Sequence, residues 1–291
     1  MSPSVQIGLL LALATAFTSI VGFLYKHRGA VLAPDVEWRR PVRSSLALFG
    51  SGWYTLGIVV AMCSWGFHVA ALALAPISLV QSVIAGGLVL LTVVADRLFG
   101  FHVTRREWIG VALTAAGLAF LAATLDGAAD EAHNDWSAGT LTAWVAAGAA
   151  LGTAAAVFAV RALHGEGSGT LLGLSAGLLW GASDVSIKAL SAELDGGAGA
   201  VLLHPLAATI LLLSLIGLLV SARSLQLGRA VPVIAVTSAA ANIWTIASGP
   251  VVFGEPLPEE PLALVLRLLA FALVITAAAL TPPPVRAAQA A

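Results

Sequence analysis

The sequence predicts an all-α polytopic membrane protein with about nine transmembrane helices, arranged as two inverted four-helix repeats joined by a linker helix. Three observations predict this fold: an apolar composition, a set of long apolar stretches, and the alternation of charge between the loops. Hydrophobic residues make up 59% of the 291 positions and charged residues 10%, whereas ordinary soluble domains carry about 25% charged residues. This composition favours a multi-pass protein of the lipid bilayer.

Nine apolar stretches are long enough to cross a bilayer, whose core of about 30 Å needs ~20 residues of helix. Because lipid offers no water to backbone groups, each stretch is expected to be helical. Only Ala75 and Pro76 separate the second stretch from the third, which predicts a tight turn there. The stretches lie near 5–25, 52–75, 76–97, 107–125, 138–161, 170–191, 201–221, 231–252 and 262–280.

Positive charge is confined to alternate loops. The intervening loops hold nine acidic residues and no Lys or Arg. Because cytoplasmic loops are enriched in Lys and Arg, this pattern predicts a cell-membrane protein with its N-terminus outside and its C-terminus in the cytoplasm. The basic cluster follows the first apolar stretch, and we therefore expect that stretch to be retained rather than cleaved. Twelve of the fourteen basic residues follow the pattern: Lys26, Arg28, Arg39, Arg40, Arg43, Arg97, Arg105, Arg106, Arg161, Arg223, Arg229 and Arg286.

Composition and motifs also restrict the function classes. The basic residues are dispersed over loops, and no nucleic-acid partner is expected. Phosphate-binding loops and metalloprotease or C-x-x-C motifs are absent from the sequence. Residues 173–177 spell G-x-S-x-G, but Ser175 is expected about 16 Å in depth from His68, too far for a nucleophile and its base. We expect a non-enzyme without a cofactor, whose partners are the bilayer and a small-molecule or ion substrate.

The two halves of the chain show weak similarity. A shift of 159 residues matches Asp96 to Glu255, and a shift of 162 matches Lys26 to Lys188. With an odd number of helices the two copies run in opposite directions, and exchanging their conformations moves a central site from one membrane face to the other. The prediction is one transmembrane domain comprising a first repeat at 1–125, a linker helix at 138–161, a second repeat at 170–280 and a cytoplasmic tail at 281–291.

Short motifs carry a resemblance to a known family. Trp180-Gly181 followed by Lys188, and the segment from Gly254 to Leu257, resemble the repeat of the drug/metabolite transporter superfamily, which is EamA-like. Within it, residues 75–80 and 108–110 are similar to the NIPA-type magnesium transporter branch. The resemblance spans most of the chain and implies the nine-helix plan and a transport function. Asp96 departs from it, because the superfamily repeat usually has Glu there.

Polar residues inside the predicted helices are the candidates for substrate binding or proton coupling, because each charge costs about 2.5 to 3.5 kcal/mol at a helix centre. Asp184 is the only acid well inside a predicted span, and Lys188 follows it by one helical turn, where opposite charges on a helix meet. One interpretation is a functional carboxylate. The other is a self-neutralised pair whose Lys188 reaches outward to the interface.

Depth counting places Asp184, His68, Gln81 and Arg267 at a similar level in the outer third of the membrane. We predict that these four form one polar layer. Three of them also have a simpler interpretation: core packing for His68, an interhelical hydrogen bond for Gln81 and snorkelling for Arg267.

Asn242 and Trp180 complete the set of candidate site residues, at heights near the middle of the membrane. Aromatic walls suit organic or cationic substrates. Repeated glycines on two predicted helices, Gly173, Gly177 and Gly181 on one and Gly148 and Gly152 on the other, predict close helix packing or a sliding surface, and a homodimer through the second pair.

We therefore expect a secondary, alternating-access transporter of a small organic solute or metabolite, with proton coupling through Asp184 as one form. The alternative is a NIPA-like magnesium transporter, in which Asp184 and Asn242 would be metal ligands. Because Mg²⁺ takes about six oxygens, a single buried acid disfavours this alternative. A more distant alternative is a membrane scaffold or sensor without transport, although the sequence shows no additional soluble domain for it to present.

Overall fold

The structure is a computed structural model. It describes residues 2–37, 39–86, 132–193, 197–228 and 230–280, with short helical pieces at 109, 112–113 and 116–117. Every regular element in these residues is an α-helix. The helices are α1 (Pro3–Leu32), α2 (Pro41–Phe49), α3 (Gly52–Leu74), α4 (Ile77–Gly86), α5 (Ala138–Ala162), α6 (Gly165–Ser191), α7 (Gly197–Leu203), α8 (Pro205–Leu227), α9 (Ala230–Val252) and α10 (Pro261–Leu280).

The helical class predicted from the sequence is confirmed. Helices α1, α3, α5, α6 and α8 are each long and apolar enough to cross a membrane, and α4 and residues 261–273 form shorter apolar helices. These helices are compatible with a multi-pass membrane protein. The fourth predicted span, 107–125, and the end of the third lie mostly outside the described residues. The count of nine spans and the inverted repeat therefore stay predictions.

The predicted turn between the second and third stretches is confirmed. Helix α3 ends at Leu74, Ala75 adopts an extended conformation with φ −143° and ψ 158°, and α4 begins at Ile77. Pro76 explains the break, because a residue before proline is disfavoured in the helical region.

Helix α1 is longer than the sequence predicted. It continues to Leu32 and ends there because Pro34 forces Ala33 into an extended conformation, with φ −88° and ψ 158°. Lys26, which the topology prediction placed in the first loop, therefore lies inside the helix and is only 7% exposed. The short helix α2 lies in a region predicted as loop, and α7 covers the end of a predicted loop and the first three residues of the seventh predicted span.

The direction of the helices follows from close backbone contacts. A Cβ at Gly8 would lie 2.9 Å from Cβ of Ala75, and α1 and α3 are therefore antiparallel. Gly169 at the start of α6 lies against Gly228 at the end of α8, and this second pair is also antiparallel. Helices α3 and α6 thus terminate at one end of the molecule, and α1 and α8 terminate at the other.

Helix α6 is the central helix, and 67% of its most apolar 18-residue segment is buried. It packs on α5, α8 and α9. Its stripe of Gly173, Gly177 and Gly181 lies against α9, contacting the backbone or side chains of Thr237 and Trp244. The prediction of close packing at these glycines is confirmed, because no side chain separates the two backbones.

The glycines of α5 face the interior of their own chain. Gly148 lies against the indole of Trp244, and Gly152 lies against Leu179. The hydroxyl of Ser175, from the G-x-S-x-G pattern, donates a 2.7 Å hydrogen bond to the carbonyl of Gly152. These glycines are not available to a second copy, and the predicted homodimer loses the observation on which it rested.

Candidate functional site

Three of the predicted site residues meet where α3, α4 and α6 pack together. Nε2 of His68 lies 3.2 Å from Oδ1 of Asp184, and the amide of Gln81 donates a 3.5 Å hydrogen bond to Oδ2. The side chains of His68 and Asp184 are 9% and 21% exposed, and Gln81 is buried. We call these three residues the polar cluster. It joins two helices of the predicted first repeat to the central helix of the second.

Neither contact of the Asp184 carboxylate in the polar cluster is a short, aligned hydrogen bond. Hydrogen bonds from nitrogen to oxygen are shortest and strongest at about 2.7 to 3.2 Å. Nε2 of His68 is close enough to Asp184 for an ion pair, but it is not aligned for a hydrogen bond. Nδ1 of the same ring is buried and has no hydrogen-bond partner in the described part of the chain. The Asp184 carboxylate is therefore held loosely.

Lys188 is held tightly, in contrast to Asp184. It is fully buried, and its Nζ donates hydrogen bonds of 2.7, 3.1 and 2.6 Å to the carbonyls of Leu72, Ala75 and Ala132. An ammonium has three donors, and all three are used. The interpretation of a snorkelling Lys188 neutralised by Asp184 is wrong, because Lys188 instead caps the last turn of α3, where helix carbonyls lack partners. We call this contact the α6 clamp.

A buried acid that the sequence prediction overlooked lies at the same end of the molecule. Glu255 follows α9, is 6% exposed, and accepts a 3.3 Å hydrogen bond from the backbone N–H of Ser78 at the start of α4. Burial raises the pKa of Glu255, although Ser78, Lys188 and His133 oppose the rise. Gly249 leaves the space that this carboxylate occupies, since a Cβ there would collide with it.

Arg267 lies beside the same loop. It is 4% exposed, and its Nη1 donates a 2.7 Å hydrogen bond to the carbonyl of Pro256. The snorkelling interpretation of Arg267 is therefore wrong, because the guanidinium is buried against protein backbone. Depth counting placed Arg267 level with the polar cluster, but its hydrogen bond to Pro256 ties it to the loop of Glu255.

Trp180 and Asn242 lie apart from the polar cluster. No hydrogen bond or ion pair within the described residues joins either side chain to His68, Gln81 or Asp184. Trp180 lies edge-on to Phe23 of α1, with ring centroids 5.9 Å apart. Asn242 is buried on α9, at 4% exposure.

A second set of contacts between the predicted halves lies at the opposite end of the molecule from the α6 clamp. The amide of Gln226, on α8, accepts from the backbone N–H of Val36 at 3.0 Å and donates to the carbonyl of Pro34 at 3.1 Å. Arg223 donates to Oδ1 of Asp35 at 3.1 Å. We call these contacts the α8 clamp. It ties the segment after α1 to the end of α8.

The residues that could hold a metal are few. In the described part of the chain, no three His, Cys, Asp or Glu side chains come close enough to bind one ion together. The predicted magnesium ligands Asp184 and Asn242 lie on α6 and α9. The described contacts of the Asp184 carboxylate are with nitrogens of His68 and Gln81, rather than with the oxygens that accompany a carboxylate around Mg²⁺.

Comparisons with protein-family models, curated proteins and solved structures found no match. The resemblance to the drug/metabolite transporter superfamily and its NIPA-type branch therefore stays a prediction.

The buried Glu255 predicts a specific pH dependence of stability. A group whose pKa is raised on folding stabilises the protein fully below its ordinary value of 4.5, and this contribution is lost as pH rises through the higher folded value. We expect the melting temperature of wild type, relative to Glu255→Gln, to fall as pH rises from 4 to 8, measured by tryptophan fluorescence in detergent. A difference that stays constant with pH would contradict this assignment. The exposed Glu259→Gln serves as the control.

Proposed function

We propose that this chain is an alternating-access membrane transporter of a small organic solute, in which the polar cluster is the site of proton or substrate exchange. One observation carries the proposal: a carboxylate inside a central helix is held from the facing half of the chain by contacts of 3.2 and 3.5 Å, neither of which is a short, aligned hydrogen bond. The lysine one turn away gives all three of its donors to carbonyls at 2.6 to 3.1 Å in this conformation. The cluster is therefore the part of this layer that can exchange partners.

The chemistry of the polar cluster suits proton coupling. Histidine and carboxylate side chains within membrane helices are the groups that commonly form proton relays in pumps and transporters. A protonated His68 attracts the Asp184 carboxylate across the contact between α3 and α6, and loss of that proton removes the attraction.

The two clamps support alternating access. The α6 clamp joins the predicted halves at the end where α3 terminates, and the α8 clamp joins them where α1 terminates. Opening either end of the molecule requires breaking the clamp at that end while the other clamp holds. Alternating access of two repeats around a fixed site uses this kind of reciprocal movement.

The proposal is tested by replacing Asp184 with asparagine, which keeps the size of the side chain and removes its charge. Purified protein is reconstituted in vesicles with a pH-sensitive dye inside, and benzoate, choline and Mg²⁺ are added in turn as probes of three charge classes. We expect wild type to move protons with one of the organic probes and Asp184→Asn to give the signal of empty vesicles. The melting temperature of the variant should stay close to that of wild type.

The matched control is Glu166→Gln, which removes an exposed acid at the start of the same helix. It should transport as wild type does. Wild-type flux in Asp184→Asn would overturn the role of the polar cluster, and the absence of flux in wild type with all three probes would count against transport of these classes. Magnesium flux that is lost with Asp184 would favour the NIPA-like alternative over the organic solute.

A further inference from the structure

Lys26 is a buried cation on α1 whose ammonium group lies against aromatic rings. It lies inside α1, six residues before the end of that helix, and is 7% exposed. Gly57 of α3 packs directly on it, because a Cβ at this glycine would lie 2.8 Å from Cγ of Lys26. The stem of Lys26 is therefore enclosed between α1 and α3.

The ammonium group of Lys26 is bordered by aromatic rings. Its Nζ lies 4.1 Å from the ring centroid of Phe23 on α1 and 5.3 Å from that of Trp180 on α6. Trp180 in turn lies against Gly217 of α8, where no side chain intervenes. The ammonium thus lies where the predicted first half meets α6 and α8 of the second half. In the described part of the chain, no carbonyl, hydroxyl or carboxylate accepts a hydrogen bond from it.

The contrast with Lys188 is informative because the two lysines occupy matching positions of the predicted repeats. Lys188 gives all three of its donors to carbonyls, whereas the described contacts of the Lys26 ammonium are two aromatic faces. Aromatic faces attract a cation but accept no conventional hydrogen bonds from all three donors at once. Removing a charge from water has a large cost that aromatic contacts of this kind offset only in part.

We propose that Lys26 binds the anionic group of the transported solute, a carboxylate or phosphate of a small organic molecule, whose apolar portion lies beside the rings of Phe23 and Trp180. The inference rests on the proposed transport function and adds a substrate class to it. An anion supplies oxygen acceptors that the described residues do not offer to this ammonium, and the aromatic rings suit the carbon skeleton of an organic anion. The enclosed position between α1, α3 and α6 favours a solute over a lipid headgroup.

The test measures binding, and its result is independent of flux. Full-length protein in nanodiscs of phosphatidylcholine is titrated with benzoate, inorganic phosphate and benzylamine, and thermal unfolding is followed by tryptophan fluorescence. We expect benzoate or phosphate to raise the melting temperature of wild type in a saturable way, and benzylamine to have no effect. Lys26→Met should weaken the apparent affinity at least about 30-fold, and Lys26→Arg should keep a saturable response.

The empty protein gives a second, opposite signature. If Lys26 awaits an anion, Lys26→Met removes an uncompensated buried charge and should raise the melting temperature without ligand. If the lysine is only a structural link between α1 and α6, the same substitution should lower it, which would overturn the proposal. Arg28→Gln is the matched control, because Arg28 is a half-exposed cation on the same helix whose guanidinium lies 4.2 Å from the ring centroid of Trp53. Arg28→Gln should change neither the response to anions nor the melting temperature without ligand.

Nanodiscs containing phosphatidylglycerol distinguish the source of the anion. If this lipid raises the melting temperature of wild type and abolishes the response to benzoate and phosphate, the occupant is a lipid headgroup and the solute assignment is overturned. If no anion stabilises wild type, or if Lys26→Met responds equally, the site is overturned as a whole. Anion binding that persists in a protein without flux would leave Lys26 as a binding residue and reject the transport function separately.

Discussion

Lys188→Met is expected to lower the free energy of unfolding by about 3 kcal/mol, the largest effect of any side-chain truncation near the polar cluster. Methionine has nearly the length of lysine, but it cannot donate hydrogen bonds to the carbonyls of Leu72, Ala75 and Ala132. Leaving a buried acceptor unpaired costs about 1 to 3 kcal/mol. The gain from no longer burying an ammonium offsets part of this loss, and we therefore take the lower limit for each of the three carbonyls.

The measurement is unfolding in detergent, by temperature and by denaturant, with tryptophan fluorescence as the signal. Lys26→Met is the matched comparison, because it is the same substitution at the position that aligns with Lys188, and the opposite sign is expected. A Lys188→Met protein that unfolds like wild type but has lost flux would contradict the clamp. Lys188 would then belong to the transport site, as the sequence first suggested.

The different environments of these two lysines also show what sequence reasoning can reach. The spacing of apolar stretches predicted the positions of the helices, and depth counting predicted that His68, Gln81 and Asp184 lie at one level. Depth gives one coordinate of a residue only. It does not say which way a side chain points around its helix, and Arg267 was therefore placed in the same layer although it bonds to the Pro256 carbonyl in the structure.

Lys26 and Glu255 were missed for a related reason. Both lie close to predicted helix ends, and charges at such positions are normally assigned to loops. Burial of Lys26 depends on the rings of Phe23 and Trp180, one of them on a helix more than a hundred residues away. The repeat alignment held the usable signal, because it matched Lys26 to Lys188 and Asp96 to Glu255.

The packing of α6 on α9 gives the second large expected effect. Gly177→Ala places a methyl group against the carbonyl oxygen of Thr237 and 2.9 Å from Cβ of Ala240. The first of these is backbone and cannot rotate away, so the two helices must separate. Overpacking of this kind costs about 1 to 3 kcal/mol, more than the roughly 0.5 to 1 kcal/mol that alanine gains over glycine in a helix.

We therefore expect Gly177→Ala to lower the melting temperature, and Gly167→Ala on the same helix to leave it unchanged or raise it. A Cβ at Gly167 meets no atom within 4 Å, and only the gain in helix propensity remains. Flux measurements on the same two variants address the sliding surface. If α6 moves against α9 during transport, Gly177→Ala should slow flux more than its loss of folded protein explains. Equal melting temperatures of Gly177→Ala and Gly167→Ala would show that the close approach of α6 and α9 is not required for stability.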